Sequence, residues 1–197
     1  MWPELLSQAR DLMVQGGAVM PPLVLISLLM WLLILHKEVY FYQARRQEKS
    51  LQQCWNELEH QRVVGADWQQ TVLKQFSWLR QTGTLNRESL MQLQRSEEIR
   101  IKRFVQTIQV LAGAAPLLGL LGTVGGMITT FDVISVFGTG NARAMAAGIS
   151  EALISTQTGL VVAVPGLVVG ALLRRRSERL NERMQGFSLG LLQKASN

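Results

Sequence analysis

Three stretches of this chain are too long and too apolar to serve as the core of a small soluble domain. Gly17 to Leu35 carries no charge, Phe104 to Phe131 carries none, and Ala144 to Leu173 carries only Glu151. A helix of about 20 mostly apolar residues is enough to cross roughly 30 Å of hydrocarbon. Lipid offers no partner for exposed peptide groups, so such stretches must be helical unless they close into a barrel. No alternating strand pattern is present. The expected fold is therefore all-α, with three transmembrane helices and long cytoplasmic helical extensions.

The net charge of +6 is distributed unevenly. Residues 37–107 hold 12 Lys/Arg against 8 Asp/Glu, and residues 171–197 hold 6 against 2. The segments 1–36 and 108–170 each hold one basic residue against two acidic ones. Basic residues mark the cytoplasmic flanks of spans. This gives an N-terminus on the outer side, a cytoplasmic middle segment and a cytoplasmic C-terminus. The basic excess reads as topology and as contact with anionic lipid rather than as a nucleic-acid site. The first block lacks a basic start and a small-residue cleavage site, so it reads as a retained anchor.

The expected layout follows. Residues 1–18 form an amphipathic helix at the outer interface, with Leu5, Leu6, Ala9, Leu12 and Met13 at helical spacing, ended by Gly16-Gly17. The first transmembrane helix is 19–36, with Pro21-Pro22 in its first turn, where proline is tolerated. The cytoplasmic helical segment is 37–107. Within it Leu51, Trp55 and Leu58 make one apolar stripe, and Val72, Phe76 and Leu79 make another. Gly65 interrupts, Asp67 and Gln70 resemble an N-cap and its partner, Gly83 is a stop, and Asn86 can cap a further helix carrying Leu90, Leu93 and Ile101. The second span is 108–137, the periplasmic connection 138–143, the third span 144–173 and the C-terminal cytoplasmic helix 174–197. The short connection makes the last two spans an antiparallel hairpin.

A carboxylate at the middle of a membrane helix costs at least ~2.5 kcal/mol, so Glu151 is expected to be sheltered and functional. Ser155 and Thr158 follow it at i+4 and i+7, on the same face; Thr156 is offset by ~140°. Thr123 and Thr130 share a face of the second span. Such hydroxyls can bond back to their own helix, so singly they mean little. Gly122-x-x-x-Gly126 and Gly166-x-x-x-Gly170 fit the small-xxx-small pattern, and Ser155, Gly159 and Ala163 add a further small stripe. Pore lining and close helix packing are both open for Gly122, Gly126 and Gly159. Pro116 and Pro165 are expected to kink their helices, as hinges or as packing features.

Several chemistries are excluded by what is missing. The lone Cys54 forms no internal disulfide, and His36 and His60 offer no metal-ligand spacing. There is no Walker A sequence. Gly186-Phe187-Ser188-Leu189-Gly190 has the letters of a nucleophile elbow but no preceding strand and no following histidine. No catalytic residue, metal or cofactor is expected. A passive membrane scaffold, with the glycines serving packing alone, is the alternative to an ion path. One buried carboxylate and three spans hardly enclose a pathway in a monomer, which points to a ring of copies.

Ala115-Pro116-Leu117-Leu118-Gly119-Leu120-Leu121-Gly122-Thr123-Val124 is similar to the second-span signature of the ExbB/TolQ/MotA proton-channel family. Gly148-Ile149-Ser150-Glu151-Ala152-Leu153-Ile154-Ser155-Thr156, then Gly159-Leu160 and Pro165, resembles the third-span signature of its ExbB and TolQ branches. Gln157-Thr158 departs from the small apolar residues usual there. A motor stator has four spans and lacks this glutamate. The resemblance implies a homopentamer in the bacterial inner membrane around an ExbD-like single-span subunit. Proton flow would drive motion passed on by a TonB-like protein. It further implies that Glu151 is the pore glutamate, that Thr123 and Thr156 line the pore, and that the titrating aspartate belongs to the partner. A TolQ-like subunit serving envelope integrity is the neighbouring alternative.

Overall fold

The computed structural model describes residues 2–60, 62–83 and 87–196, and these contain helices and no strand. The elements are α1 (Trp2–Gln15), α2 (Met20–Gln47), α3 (Leu51–Glu59), α4 (Asp67–Gln81), α5 (Arg87–Phe137) and α6 (Ala142–Ser196). Short 3-10 turns at Gly17–Val19 and Gly138–Gly140 precede α2 and α6. The expected cap Asn86 and the side chains of Leu5, Leu6, Ala9, Leu90 and Leu93 lie outside the described residues. Helices α5 and α6 have 51 and 55 residues, far more than a bilayer needs. Both run on through Pro116 and Pro165.

Three helical segments, Gly17–Gln47, Arg95–Gly140 and Ala142–Ala195, are long and apolar enough to cross a membrane. Their surfaces agree with that. Leu25, Leu28, Leu32 and Leu35 on α2, Leu117, Leu120, Leu121 and Val124 on α5, and Leu153, Leu160, Val161 and Val164 on α6 all face outward. Such contiguous apolar surface is rare on a soluble monomer and ordinary against lipid or other chains.

The chain divides into two compact units. The first comprises residues 1–34 and 107–170. Met20, Leu23, Ala115 and Ala163 form its core, with Val19, Leu118 and Val162 packed on it. Its main seam joins α5 to α6 and is made of residues without bulk. A Cβ on Gly119 would stand 2.9 Å from the Ser155 carbonyl oxygen and 3.3 Å from Gly159 Cα. One on Gly126 would stand 2.6 Å from the Gly148 oxygen and 2.9 Å from Ala152 Cβ; one on Gly159, 2.8 Å from the Ala115 oxygen. Glycine weakens a helix by about 0.5–1 kcal/mol relative to alanine, so this run is tolerable only because it lets two backbones touch. Gly166 plays a similar part against Met30 of α2 and Ala112 of α5.

The second unit comprises residues 35–106 and 171–197. On α6, Leu173, Ser177, Leu180, Met184, Phe187 and Leu191 are buried at alternating steps of four and three, the seam of a coiled coil. Helix α4 buries Val72, Phe76 and Leu79, the stripe expected from sequence, and also Trp68 and Leu73. Trp68 meets Phe187 edge-on at 5.4 Å, and Phe76 meets Trp55 at 6.2 Å. Lys37 is buried, donates to the Ile101 carbonyl at 2.9 Å and lies over the rings of Tyr40, Phe41 and Phe104. Arg176–Glu38 and Arg183–Glu48 tie α6 to α2 and to the residues just after it, at an exposed surface where ion pairs contribute little. Burial pushes the Cys54 thiol up, which makes it unreactive.

The start of α4 differs from the sequence reading. Ala66, not Asp67, is the N-cap, and it has no side chain to cap with. Gln69 does that work instead: its Oε1 accepts from Ala66 N–H at 3.0 Å and from Lys49 N–H at 3.0 Å, while its Nε2 donates to the Lys49 carbonyl at 2.8 Å. Gln70, the expected partner, donates to the Gly65 carbonyl instead. Gly65 (φ +110°) and Gly83 (φ +68°) bracket α4 at its two ends, where the interruption and the stop were expected.

Two outcomes follow from this packing. Gln69→Leu strands the Lys49 peptide groups and should lower stability by about 1–3 kcal/mol, seen as faster proteolysis around residues 47–50. In the first unit, Gly126→Leu should stop folded protein from accumulating. Ser155→Ala, which loses one interhelical bond, should cost only about 0.6–1.7 kcal/mol in a detergent unfolding titration.

Candidate functional site

Glu151 lies near the start of α6 and is half-buried. Its position is fixed by two neighbours on its own helix. Ala152 and Ser155 are buried, Ser155 completely, and both face the seam with α5. The Ser155 hydroxyl is directed at the Ala152 carbonyl at 2.9 Å and across the seam at the Gly119 carbonyl at 3.3 Å. Gly122 opposite has room for no side chain, because a Cβ there would overlap the Ser155 side chain.

The Glu151 side chain is laid against the turn between α1 and α2. A Cβ on Gly17 would overlap Glu151 Oε1 and stand 2.7 Å from its Cδ and 3.1 Å from its Cγ. Gly17 has φ +70°, which residues with side chains rarely adopt. The same turn reaches α5, since Val19 Cγ2 would lie 3.5 Å from a Cβ on Gly122. Three segments remote in sequence thus meet: the turn 17–19, Gly122 and the stretch Glu151–Ser155.

This pairing sets the depth of the acid. Gly17 opens the first apolar segment. Glu151 is therefore level with the head of α2 rather than with its middle. Counting along α6 alone does not reveal this, because depth depends on which residue of another helix stands opposite.

The other residues singled out from sequence fall into two groups. Gly122, Gly126, Gly159 and Ser155 are in the α5–α6 seam. Thr130 is there too, buried opposite Gly148, with its hydroxyl donated to the Gly126 carbonyl at 2.9 Å. Thr123, Thr156 and Thr158 are half-buried and donate back to their own helices, to Leu120 at 2.7 Å, Ala152 at 3.1 Å and Ile154 at 2.8 Å. Each of these oxygens keeps lone pairs directed away from its carbonyl partner, able to accept from water or a donor. Gly17 is the residue of this site that sequence reasoning took only for a helix breaker. Its signal was the pair Gly16-Gly17, one glycine more than a helix stop requires.

Nothing in this geometry resembles a metal centre: the described residues contain no group of three or more His, Cys, Asp or Glu that could hold an ion. It is one acid, several hydroxyls and bare backbone inside an apolar helical frame. Residues 67–186 match the MotA/TolQ/ExbB proton channel family. The chain is 32% identical over 171 residues to the biopolymer transport protein ExbB-like 3 of Synechocystis sp., a match covering 81% of each chain. It is 27% identical over 185 residues to the biopolymer transport protein ExbB of Salmonella typhimurium, covering 82% of this chain and 73% of that one. It is 29% identical over 124 residues to the Tol-Pal system protein TolQ of Pseudomonas aeruginosa, but spans only 53% of that protein's length. The matched region holds α4, the whole of α5 and most of α6, and with them the glycine seam and Glu151; this chain belongs to the MotA/TolQ/ExbB proton channel family.

Proposed function

We propose that this chain is the ring-forming proton-channel subunit of an inner-membrane energy-transducing complex, which uses the proton motive force to drive TonB-dependent uptake across the outer membrane. The observation that carries this is the half-buried Glu151, set in an apolar helical frame in a chain of this family. Its partners are sister copies, in a pentamer by resemblance, an ExbD-like single-span subunit and a TonB-like protein. The outward apolar faces of α5 and α6 supply the surface for those contacts and for lipid.

In this reading the N-terminus is periplasmic and the C-terminus cytoplasmic. Protons enter on the outer side, pass the partner's carboxylate near Glu151, and leave past hydroxyls such as Thr123 and Thr156. The membrane potential supplies about 2.3 kcal/mol per charge per 100 mV. Glu151 orients the partner and water through its charge; Thr123 and Thr156 accept hydrogen bonds along the route. The TolQ likeness supports a second reading, an envelope-integrity subunit with the same channel chemistry.

The test is proton flux in proteoliposomes holding the chain and its single-span partner. Glu151→Ala and Glu151→Gln should reduce flux to background while assembly with the partner persists. Full flux in both variants would remove Glu151 from the path, and flux no higher than background in the unaltered complex would leave the passive scaffold as the better reading. In cells lacking the chain, loss of TonB-dependent uptake supports the ExbB role, and leakage of periplasmic contents supports the TolQ role.

A further inference from the structure

We propose that Gly17 is a positioning residue for Glu151: the bare backbone of the α1–α2 turn is the seat that fixes where the carboxylate can reach. The inference deepens the proton-path reading and rests on it only for the consequence in flux. The three atoms nearest to a Cβ placed on Gly17 are Oε1, Cδ and Cγ of Glu151, so this glycine faces that one side chain. A left-handed turn does not by itself demand such crowding. Gly83 (φ +68°) and Gly138 (φ +64°) adopt the same backbone conformation and face open space.

Both walls of the seat are anchored. On the turn side, Gly16 is buried against Met20, Met20 belongs to the core of the first unit and Val19 packs on that core. On the acid side, Ala152 and Ser155 are held in the α5–α6 seam. A glutamate has several rotatable bonds and would otherwise sample many positions. Proton transfer needs donor and acceptor within roughly 2.6–3.2 Å or one water apart. A misplacement of ~1 Å can cost up to about a hundredfold in rate. Gly17 lies outside residues 67–186, so this wall of the site comes from a part of the chain that the family match does not cover.

The test compares Gly17→Ala with Gly138→Ala, which carries the same backbone strain without a neighbour, and with Gly17→Ala combined with Glu151→Asp. Glu151→Asp alone is the reference, because its acid is one methylene shorter. One readout is proton flux in proteoliposomes with the single-span partner. The other is the rate of dicyclohexylcarbodiimide labelling at residue 151 in membranes, read by peptide mass spectrometry, which reports the acid's placement whether or not the chain conducts. Gly17→Ala should lower flux roughly ten- to a hundredfold and raise labelling severalfold. Gly138→Ala should match the unaltered protein in both. The double variant should return to the level of Glu151→Asp. If Gly17→Ala fails to accumulate, recovery of folded protein by adding Glu151→Asp supports the seat and no recovery overturns it. Equal behaviour of Gly17→Ala and Gly138→Ala, or additive losses in the double variant, overturns it as well. Normal flux in Glu151→Ala together with the expected labelling pattern would retain the seat and remove only the proton path.

Discussion

The approach of α5 to α6 at backbone distance is the constraint from which the rest of the first unit follows. Between two apolar helices in lipid, burying more apolar surface gains little, because the tails are as apolar as leucine. What holds such helices is contact, and contact is closest where side chains are absent. Gly119, Gly126, Gly148 and Gly159 supply that absence on both helices, and Ser155 adds a bond from one to the other. The seam is a weak place in each helix alone and a strong place in the pair. It also fixes rotation, since turning α6 would drive Ile149, Leu153 or Leu160 into the gap and leave glycines facing outward.

Fixing the rotation of α6 decides what happens to Glu151. The residue sits on the edge of the seam, one position before buried Ala152 and four before buried Ser155. Its side chain can neither enter the seam nor lie wholly outside it, and the turn before α2 closes over it. The acid is therefore held between its own helix and a turn that sequence order keeps far from it.

Most of the fold was legible because hydrophobic blocks, glycines and a short connection are local signals. The three apolar segments, the breaks at Gly16-Gly17, Gly65 and Gly83, and the α4 stripe of Val72, Phe76 and Leu79 can each be read within a few residues. What was not legible is pairing at a distance. Asp67 looks like a cap, yet Gln69 takes the role because Lys49, twenty residues earlier, offers it two further bonds. The same limit applies to the site. Sequence placed Glu151 in an apolar block and gave Gly17 a purely local meaning; their contact spans 134 positions and leaves no periodic trace. The glycines stood between pore lining and packing because spacing reports that helices touch, not which helices. Their neighbours on the opposing helix place them in the chain's own hairpin.

The level of Glu151 bears on where work is extracted. In the proposed orientation the head of α2 is the outer side, and an acid there has crossed only a small part of the transmembrane potential. The energy available to a charge scales with the fraction of that potential it traverses, out of about 2.3 kcal/mol per 100 mV for the full crossing. In the proposed proton path, an acid at this level stands near the entrance. The larger drop lies further along α6, past Thr156 and Thr158 towards Pro165, where this chain supplies hydroxyls and no further carboxylate before the basic run Arg174-Arg175-Arg176. Between Ala152 and Leu173, α6 carries no group that could change charge. In the proposed path, Glu151 and the partner's carboxylate therefore both act near the outer end of α6, where the Gly17 turn holds Glu151.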